Sequence, residues 1–307
     1  MRPTSRCCSS SGELPVTDSA GWFGEPPVRG FQQRFLVRRH LYAASSAYQR
    51  IEVVETELLG RTLVLDGAVQ TTERDEFIYH EMLALVPLMA HPNPARVLII
   101  GGGDGGTLRR VLADPRVRSA ALVEIDPQVV GVCRQYLPEI AGRAFDDPRA
   151  QLVIADGVRF VADTAETYDV ILVDSTDPVG PAAGLFTVEF FQRARSRLRP
   201  PGIFVTQSGS PILMTPEFVG AYRNLGQVFR LVRPYFAPIP AYPGVWWSFL
   251  AASDDLDPAM PIVSPAGKTG YYTPEVHRAA FALPPFLKAV LSGGHVDALA
   301  GYAEVSG

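Results

Sequence analysis

Apolar residues recur in two different periods along this chain, and the period changes near residue 75. Between Phe35 and Thr72, apolar and β-branched residues alternate with polar ones in RIEVVETE and TLVLDGAVQTT, with the turn-like LLG and DG beside them. Such alternation predicts strands that bury one face. We therefore expect a small antiparallel β-sheet domain in residues 21–74.

The next segment, TTERDEFIYHEMLALVPLMAH, carries its apolar residues three and four positions apart. This is the spacing of a helix that buries one side, and acidic residues open the segment, as they often do at a helix N-terminus. The pattern predicts a helix of about four turns that ends near HPNP.

Short apolar runs then alternate with helical segments. The runs are RVLIIG, SAALVEID, AQLVIAD, YDVILVD and GIFVTQ. This order predicts βαβ units, and hence an α/β fold: a Rossmann-like, mostly parallel sheet with helices on both faces, in residues 75–307. The later runs RLVRPYFAPIP and WWSFLAAS have no helix between them, so we expect an antiparallel hairpin at the sheet edge.

Composition limits the possible partners. The chain has 307 residues, 47% of them apolar and 20% charged, with a net charge of −4. A negative balance without a basic run gives little attraction to nucleic acid and favours small cationic partners. No apolar stretch reaches the roughly 18 to 20 residues of a membrane-spanning helix. The start of the chain lacks the apolar core of a secretory signal, so we expect a cytoplasmic location and no membrane partner.

Cysteine usage predicts neither a disulfide framework nor a metal site. Cys7 and Cys8 lie side by side in residues 1–20, an Arg- and Ser-rich segment that we expect to be a disordered tail, and Cys133 stands alone. Three cysteines at these spacings are typical of free thiols.

Acidic residues follow the ends of four predicted strands. The first strand leads into a glycine loop with Asp104, the second ends at Glu124, the third at Asp156, and the fourth leads to Asp174 and Asp177. Ligands of open α/β sheets bind beyond the carboxyl ends of the strands. We therefore expect these carboxylates to surround one pocket and to favour a cationic guest.

The loop GGGDGG at residues 101–106 contains the spacing of a dinucleotide-binding loop. Asp104 opposes that function, because it places a negative charge where a pyrophosphate would meet the helix N-terminus. Asp104 could instead cap a helix that begins at Gly105. A nucleoside that carries a sulfonium centre and no phosphate explains the acids better: Glu124 would accept from the ribose hydroxyls and Asp156 from the adenine amino group, while Asp104 faces cationic groups.

Two of these acids could instead have a purely structural role. Asp156 is a candidate N-cap for a helix that starts at Gly157, and capping and binding can coexist. In DSTDPVGP, Asp177 can form an Asx-turn before Pro178. Two acids as close as Asp174 and Asp177 favour a cation and raise the proton affinity of at least one carboxyl group. One would bind the guest, and the other could accept a proton.

The motifs ERDEFIYHEM, GGGDGG and DSTDP, in this order, resemble those of the polyamine aminopropyltransferases, above all the spermidine synthases. The resemblance extends over residues 21–286 and includes YQRIEV, VEIDPQVV, DDPRAQLVIADGVRFV and AYPG. It implies a methyltransferase-type Rossmann-like fold and a homodimer. It also implies transfer of an aminopropyl group from decarboxylated S-adenosylmethionine, a co-substrate, to putrescine, which gives spermidine and 5'-methylthioadenosine without a metal or cofactor.

The resemblance also implies roles for individual residues. Asp174 matches the proton acceptor, with Tyr79 beside it, and His80 stands where the animal enzymes carry Gln, so the chain is more similar to the bacterial branch. Without the resemblance, His80 would be interpreted as a core or polar-face histidine. The positions that match nucleoside-binding residues are Gln49, Asp104, Glu124, Asp156, Gly157 and Pro181. The positions that match the amine channel and its surroundings are Gln70, Tyr79, His80, Asp104, Asp174, Ser175, Thr176, Asp177, Gln207 and Tyr242.

Other functions could use the same sheet. An S-adenosylmethionine-dependent methyltransferase would have to place the carboxylate of its donor near Asp104, and an NAD-dependent oxidoreductase would have to place a pyrophosphate there. A catalytically silent nucleoside-binding scaffold is a third alternative, against which the intact Asp104, Asp174 and Asp177 argue. The acceptor also stays open among putrescine, cadaverine, agmatine and spermidine.

Overall fold

The computed structural model describes residues 21–177 and 180–293, with only the backbone at residues 180 and 181. The predicted tail at residues 1–20, with Cys7 and Cys8, lies outside the described residues. Cys133 is a buried free thiol. The division of the chain at residues 20 and 74 stays a prediction.

The first part of the described chain forms a five-stranded antiparallel sheet, as expected, in which each strand pairs with the next. Asp66 and Gly67 make its tightest turn, and both have a positive φ, of 49° and 84°. An Asp-Gly pair suits this hairpin turn because it requires the left-handed region twice. The strands are β1 (Gly21–Gly24), β2 (Arg34–Ser45), β3 (Arg50–Thr56), β4 (Gly60–Leu65) and β5 (Ala68–Thr72).

Helix α1 (Glu76–Ala90) joins this sheet to the rest of the molecule. Its 15 residues confirm the predicted four turns. The helix is buried almost all round, rather than on one side as its spacing suggested. The reason is a later segment that covers its outer side: the fully buried carboxylate of Glu81 accepts hydrogen bonds of 2.8 to 2.9 Å from the backbone N–H groups of residues 270–272.

The central sheet has seven strands in the order β11-β12-β10-β9-β6-β7-β8. The strands from β10 to β8 run parallel, and β11 and β12 form the expected antiparallel hairpin at one edge. The strand order reverses between β6 and β9, which is where α/β sheets bind ligands. The strands are β6 (Arg96–Gly101), β7 (Ser119–Glu124), β8 (Ala150–Ile154), β9 (Tyr168–Asp174), β10 (Leu198–Gln207), β11 (Leu231–Pro238) and β12 (Trp246–Ser253).

Helices cover both faces of this sheet, which confirms the Rossmann-like α/β prediction. Along β6, Val97 and Ile99 pack in the core cluster that contains α1, whereas Leu98 and Ile100 pack in a second cluster on the opposite face. Among the described residues, no helix combines the length and apolar character needed to cross a bilayer. The further helices are α2 (Gly106–Leu112), α3 (Pro127–Tyr136), α4 (Pro138–Ala141), α5 (Gly157–Asp163), α6 (Val188–Ser196), α7 (Thr215–Gly226), α8 (Pro274–Ala280) and α9 (Pro285–Leu291), with 3-10 turns at Ala144–Asp146 and Gly180–Phe186.

Candidate active site

The carboxyl ends of β6, β7, β8 and β9 meet the N-terminal sheet around a cavity of about 520 Å³. The topology explains this, because the ends of parallel strands share one edge of the sheet. Most of the predicted site residues line the cavity. They are Gln49, Gln70, Tyr79, His80, Asp104, Glu124, Asp156, Gly157, Asp174, Ser175, Thr176, Asp177 and Tyr242.

The glycine loop after β6 packs directly against the end of β9. Gly101 and Gly102 both have a positive φ, of 82° and 71°. A Cβ atom on Gly101 would lie 2.2 Å from the backbone oxygen of Asp174, and that oxygen accepts a hydrogen bond of 2.8 Å from the N–H of Gly102. Glycine is therefore required for the close approach of the loop to Asp174.

Asp104 lies at the N-terminus of α2, where a helix presents free N–H groups to an anion. Its Oδ1 atom accepts a hydrogen bond of 2.7 Å from the backbone N–H of Gly106. Helix α2 begins at Gly106, one residue later than expected, because Gly105 has a positive φ of 79°. Asp104 therefore makes a hydrogen bond at the start of α2, as a capping residue does, and it also lines the cavity.

His80 lies between two carboxylates and is only 2% exposed. Its Nδ1 atom lies 2.6 Å from Oε2 of Glu76, and its Nε2 atom lies 3.5 Å from Oδ1 of Asp104. Burial by itself lowers the pKa of His80, but Asp104 and Glu76 outweigh it and raise that pKa to about 10. Both carboxylates therefore favour the cationic form of the imidazole ring.

Asp174 ends β9 and faces two hydroxyl donors from different helices. Oδ1 accepts from the hydroxyl of Tyr79 at 2.8 Å, and Oδ2 accepts from that of Thr107 at 2.6 Å. Burial, and then the charge of Asp104, raises the pKa of Asp174, while His80 and the two hydroxyls oppose this rise. Asp174 thus combines a raised proton affinity with access to the cavity, which a general base needs.

Glu124 and Asp156 mark the next two strand ends. Glu124 is 7% exposed, and burial raises its pKa to about 7. Asp156 is exposed and caps α5, since its Oδ1 accepts from the N–H groups of Val158 at 2.8 Å and Arg159 at 3.3 Å. The capping alternative for Asp156 is therefore confirmed. Both acids line the cavity, and their ligands stay predictions.

The loop after β9 carries further predicted residues. Burial raises the pKa of Asp177 to about 6. Gln207 is not among the residues that line the cavity; its Nε2 donates to the backbone oxygens of Ser175 at 3.1 Å and Thr176 at 3.2 Å, so it holds the loop. Pro178 and the side chain of Pro181 lie outside the described part of the chain.

The N-terminal sheet supplies the other side of the cavity. Gln49 donates to the carboxylate of Asp126, the N-cap of α3, at 3.1 Å. Tyr242 donates from its hydroxyl to the backbone oxygen of Gln70 at 2.6 Å, and its ring meets that of Tyr79 edge to face. These contacts fix the sheet against the strand ends.

Sequence reasoning missed Glu25, which follows β1. Its Oε1 atom accepts from the N–H of Val69 at 2.7 Å, and its buried Oε2 atom has no hydrogen-bond partner within the described residues. Burial, with a contribution from Asp177, raises the pKa of Glu25 to about 7. The neighbouring Pro26 lines the cavity. A lone acid after a short strand gave no periodic signal that could have identified it.

Glu76 and Thr107 were missed as well, although Glu76 lies inside ERDEFIYHEM and Thr107 directly follows GGGDGG. The i,i+4 spacing of Glu76 and His80 on a predicted helix could have identified the first contact. Thr107 contacts Asp174 across 67 residues of chain, and no spacing rule identifies such a contact. Among residues 21–177 and 180–293, no group of three or more His, Cys, Asp or Glu residues is arranged to hold a metal ion.

Two family models match the chain. The spermine/spermidine synthase domain matches residues 76–261, and the spermidine synthase tetramerisation domain matches residues 21–73. Together they cover both sheets.

Relatives and solved structures agree with these matches. The chain is 48% identical to the polyamine aminopropyltransferase of Desulforudis audaxviator over 87% of this chain and 97% of that protein. It is 46% identical to that of Bacillus mycoides, again over 87% and 97%. A solved spermidine synthase in complex with the transition-state analogue AdoDATO superposes with a TM-score of 0.85 at 41% identity, and covers 88% of this chain and 94% of that one. The chain therefore belongs to the spermine/spermidine synthase family and is a transferase of aminopropyl groups.

Proposed function

We propose that the chain transfers the aminopropyl group of decarboxylated S-adenosylmethionine to putrescine, with spermidine and 5'-methylthioadenosine as products. The observation that carries this proposal is the set of carboxylates around one cavity, because both substrates are cations. Asp104 and Asp177 line it from two loops, and Asp174 and Glu124 line it from the ends of β9 and β7. The named relatives support the same reaction class.

The donor would lie along the strand ends. Glu124 would accept from the ribose hydroxyls, Asp156 would accept from the adenine amino group, and Gln49, Gly157 and Pro181 would complete the nucleoside site. Asp104 would accept a hydrogen bond from the terminal ammonium group that decarboxylation leaves unmasked. An undecarboxylated donor would bring its own carboxylate to Asp104, and like charges at short range repel. This argues against the methyltransferase alternative.

The acceptor would occupy the other end of the cavity. Asp177 lines the cavity and has a raised pKa, and its charge contributes to the raised pKa of Glu25. A distal ammonium group would pair with the carboxyl group of Asp177, and its positive charge would also favour the ionised form of Glu25. Ser175, Thr176 and Gln70 would line the methylene chain between that end and Asp174.

The attacking amine arrives protonated, since an alkyl amine has an ordinary pKa of about 10.4 by analogy with lysine. Asp174 would accept this proton, with Tyr79 holding one carboxylate oxygen. The free nitrogen then attacks the methylene carbon next to sulfur. A C–N bond forms, the C–S bond breaks, and its electron pair stays on sulfur in the neutral thioether.

We propose that no metal or cofactor takes part, because the sulfonium centre already activates the carbon. The protein would act mainly by alignment of nitrogen, carbon and sulfur. Positioning of two reactants can supply roughly 7 to 11 kcal/mol of the barrier.

Assembly is also a proposal. We propose a homodimer or a larger oligomer that forms through the N-terminal sheet, whose family model is named for tetramerisation. Trp22 on β1 is 62% exposed and Leu36 on β2 is 37% exposed in the single chain, so this sheet offers apolar area to a second copy. Light scattering on the purified protein measures the number of chains.

A product assay tests the reaction. The protein is offered decarboxylated S-adenosylmethionine with putrescine, cadaverine, agmatine or spermidine, and the products are separated by chromatography. We expect 5'-methylthioadenosine with spermidine from putrescine, and no turnover of undecarboxylated donor. A methylated product from the ordinary donor would support a methyltransferase, and calorimetric binding of nucleoside without turnover would support a silent scaffold.

A further inference from the structure

Glu76 lies between His80, which lines the cavity, and two arginines of α2. It stands one helical turn before His80 on α1 and is 8% exposed. Its Oε2 atom contacts Nδ1 of His80 at 2.6 Å, and its Oε1 atom is hydrogen-bonded to Arg109 of α2, with Arg110 3.9 Å away. Both oxygens of this carboxylate therefore have cationic or cation-forming partners.

The imidazole ring of His80 has little freedom to turn. A Cβ atom on Gly106 would lie 2.2 Å from the ring, so the ring packs directly on the backbone at the start of α2. The ring of Tyr79 meets it edge to face at a centroid distance of 5.4 Å. The two ring nitrogens are thereby directed at Glu76 and Asp104.

This arrangement selects one protonation state. A neutral imidazole has one N–H group, so one of its nitrogens would present a lone pair to a carboxylate. An imidazolium donates from both nitrogens. The charged and titratable groups around the ring are Asp75, Glu76 and Tyr79 from α1, Asp104 from the glycine loop, Asp174 from β9, and Arg109 and Arg110 from α2. Glu76 and Asp104 lie within 3.5 Å of the ring nitrogens, and Glu76 also contacts both arginines.

We propose that Glu76 is a positioning residue that holds His80 as an imidazolium directed at Asp104, and that this buried cation keeps Asp174 able to accept a proton. Without the cation, burial and the charge of Asp104 would raise the pKa of Asp174 against only the hydroxyls of Thr107 and Tyr79. A protonated Asp174 cannot act as a base. The role given to Asp174 rests on the proposed function, whereas the charge on His80 does not.

The pKa directions agree with the geometry. Burial by itself would raise the pKa of Glu76, but His80 and Arg109 outweigh it and lower that pKa to about 2. His80 in turn lowers the pKa of Asp174 against the effects of burial and Asp104.

Nuclear magnetic resonance of the full chain labelled at histidine tests the charge on His80. The His80→Gln variant identifies its signals among the five histidines of the sequence. We expect His80 to stay cationic up to about pH 9, and to become neutral at least one pH unit lower in Glu76→Gln. The matched control is Glu81→Gln, a buried acid of the same helix that pairs with Arg110 at 3.2 Å. Glu81→Gln should leave the titration of His80 unchanged.

A neutral His80 in the unmodified protein at pH 7 would overturn the proposal. So would an unchanged titration of His80 in Glu76→Gln. This measurement needs no turnover, so it remains decisive even if the product assay rejects aminopropyl transfer.

The pH profile of kcat/KM tests the link to Asp174. Loss of the positive charge of the imidazolium should move the acid limb upward by about one pH unit in His80→Gln, whereas Glu76→Gln should affect the profile only at pH values where its His80 has become neutral. Glu81→Gln should not move the acid limb. In the His80→Gln background, Glu76→Gln should cause no further shift, because the cation that links the two residues is already gone.

His80→Gln also covers the case in which Glu76→Gln does not fold. His80→Gln should by itself show the acid limb of kcat/KM displaced upward. An acid limb that stays in place in His80→Gln would refute the link between the imidazolium and Asp174.

Discussion

Replacement of Asp174 by Asn removes the proposed base and leaves its surroundings almost intact. The amide matches the carboxylate in size. Of the hydroxyls of Tyr79 and Thr107, which now donate at 2.8 and 2.6 Å, one can still donate to the amide oxygen and the other can rotate to accept from the amide NH2 group. The variant should therefore fold normally and lose charge rather than shape. Loss of a positioned general base costs about 10²- to 10⁴-fold in kcat. This equals about 3 to 5 kcal/mol of transition-state free energy.

The assay is formation of 5'-methylthioadenosine at saturating donor and acceptor, together with calorimetric affinity for 5'-methylthioadenosine itself. We expect kcat to fall by the stated range and the affinity to change less than about threefold, since the nucleoside carries no amine that needs Asp174. The residual activity should rise about tenfold per pH unit towards the amine pKa of about 10.4, because only free amine then reacts.

Asp177→Asn is the matched control, since it changes a second cavity carboxylate of the same loop. It should raise KM for the amine and leave kcat within a few-fold of the unmodified protein. A loss below tenfold in kcat for Asp174→Asn, or an equal loss in Asp177→Asn, would refute the assignment of Asp174 as the base.

Three further predictions concern donor choice, ring packing and pH. Asp104→Asn keeps an oxygen for the N–H of Gly106 but loses the negative charge. Affinity for the decarboxylated donor should therefore fall about tenfold or more, because a charged hydrogen bond is lost, and affinity for 5'-methylthioadenosine should change little. Equal losses of affinity for the two ligands in calorimetry would contradict this. Gly106→Ala should displace the ring of His80, lower the free energy of unfolding by about 1 to 3 kcal/mol and raise KM for the donor. Gly131→Ala, which places its Cβ atom in open space, should change neither quantity. Burial raises the pKa of Glu124 from 4.5 to about 7, so the ligand-free protein should lose up to about 3 kcal/mol of its free energy of unfolding as the pH rises through that interval. Denaturation at a series of pH values measures this loss. An unchanged pH dependence in Glu124→Gln would contradict it.

The fold could be predicted from local patterns because each element has its own period. The 3.6-residue spacing of α1 and the run-and-helix alternation of β6 to β10 do not depend on distant contacts. The convergence of Asp104, Glu124, Asp156 and Asp174 could be predicted for the same reason, since parallel strands end at one edge of the sheet. The family motifs added the names of the groups that these acids would bind.

The sequence by itself therefore determined the order of the elements and the acidic character of the pocket. Only the tertiary structure decided which partners tune those acids. Thr107 reaches Asp174 across 67 residues of chain, and Glu25 reaches Val69 across 44. Such contacts depend on how helices and loops pack after the sheets form, and the pKa of a buried carboxyl group depends on the packed surroundings rather than on its neighbours in sequence.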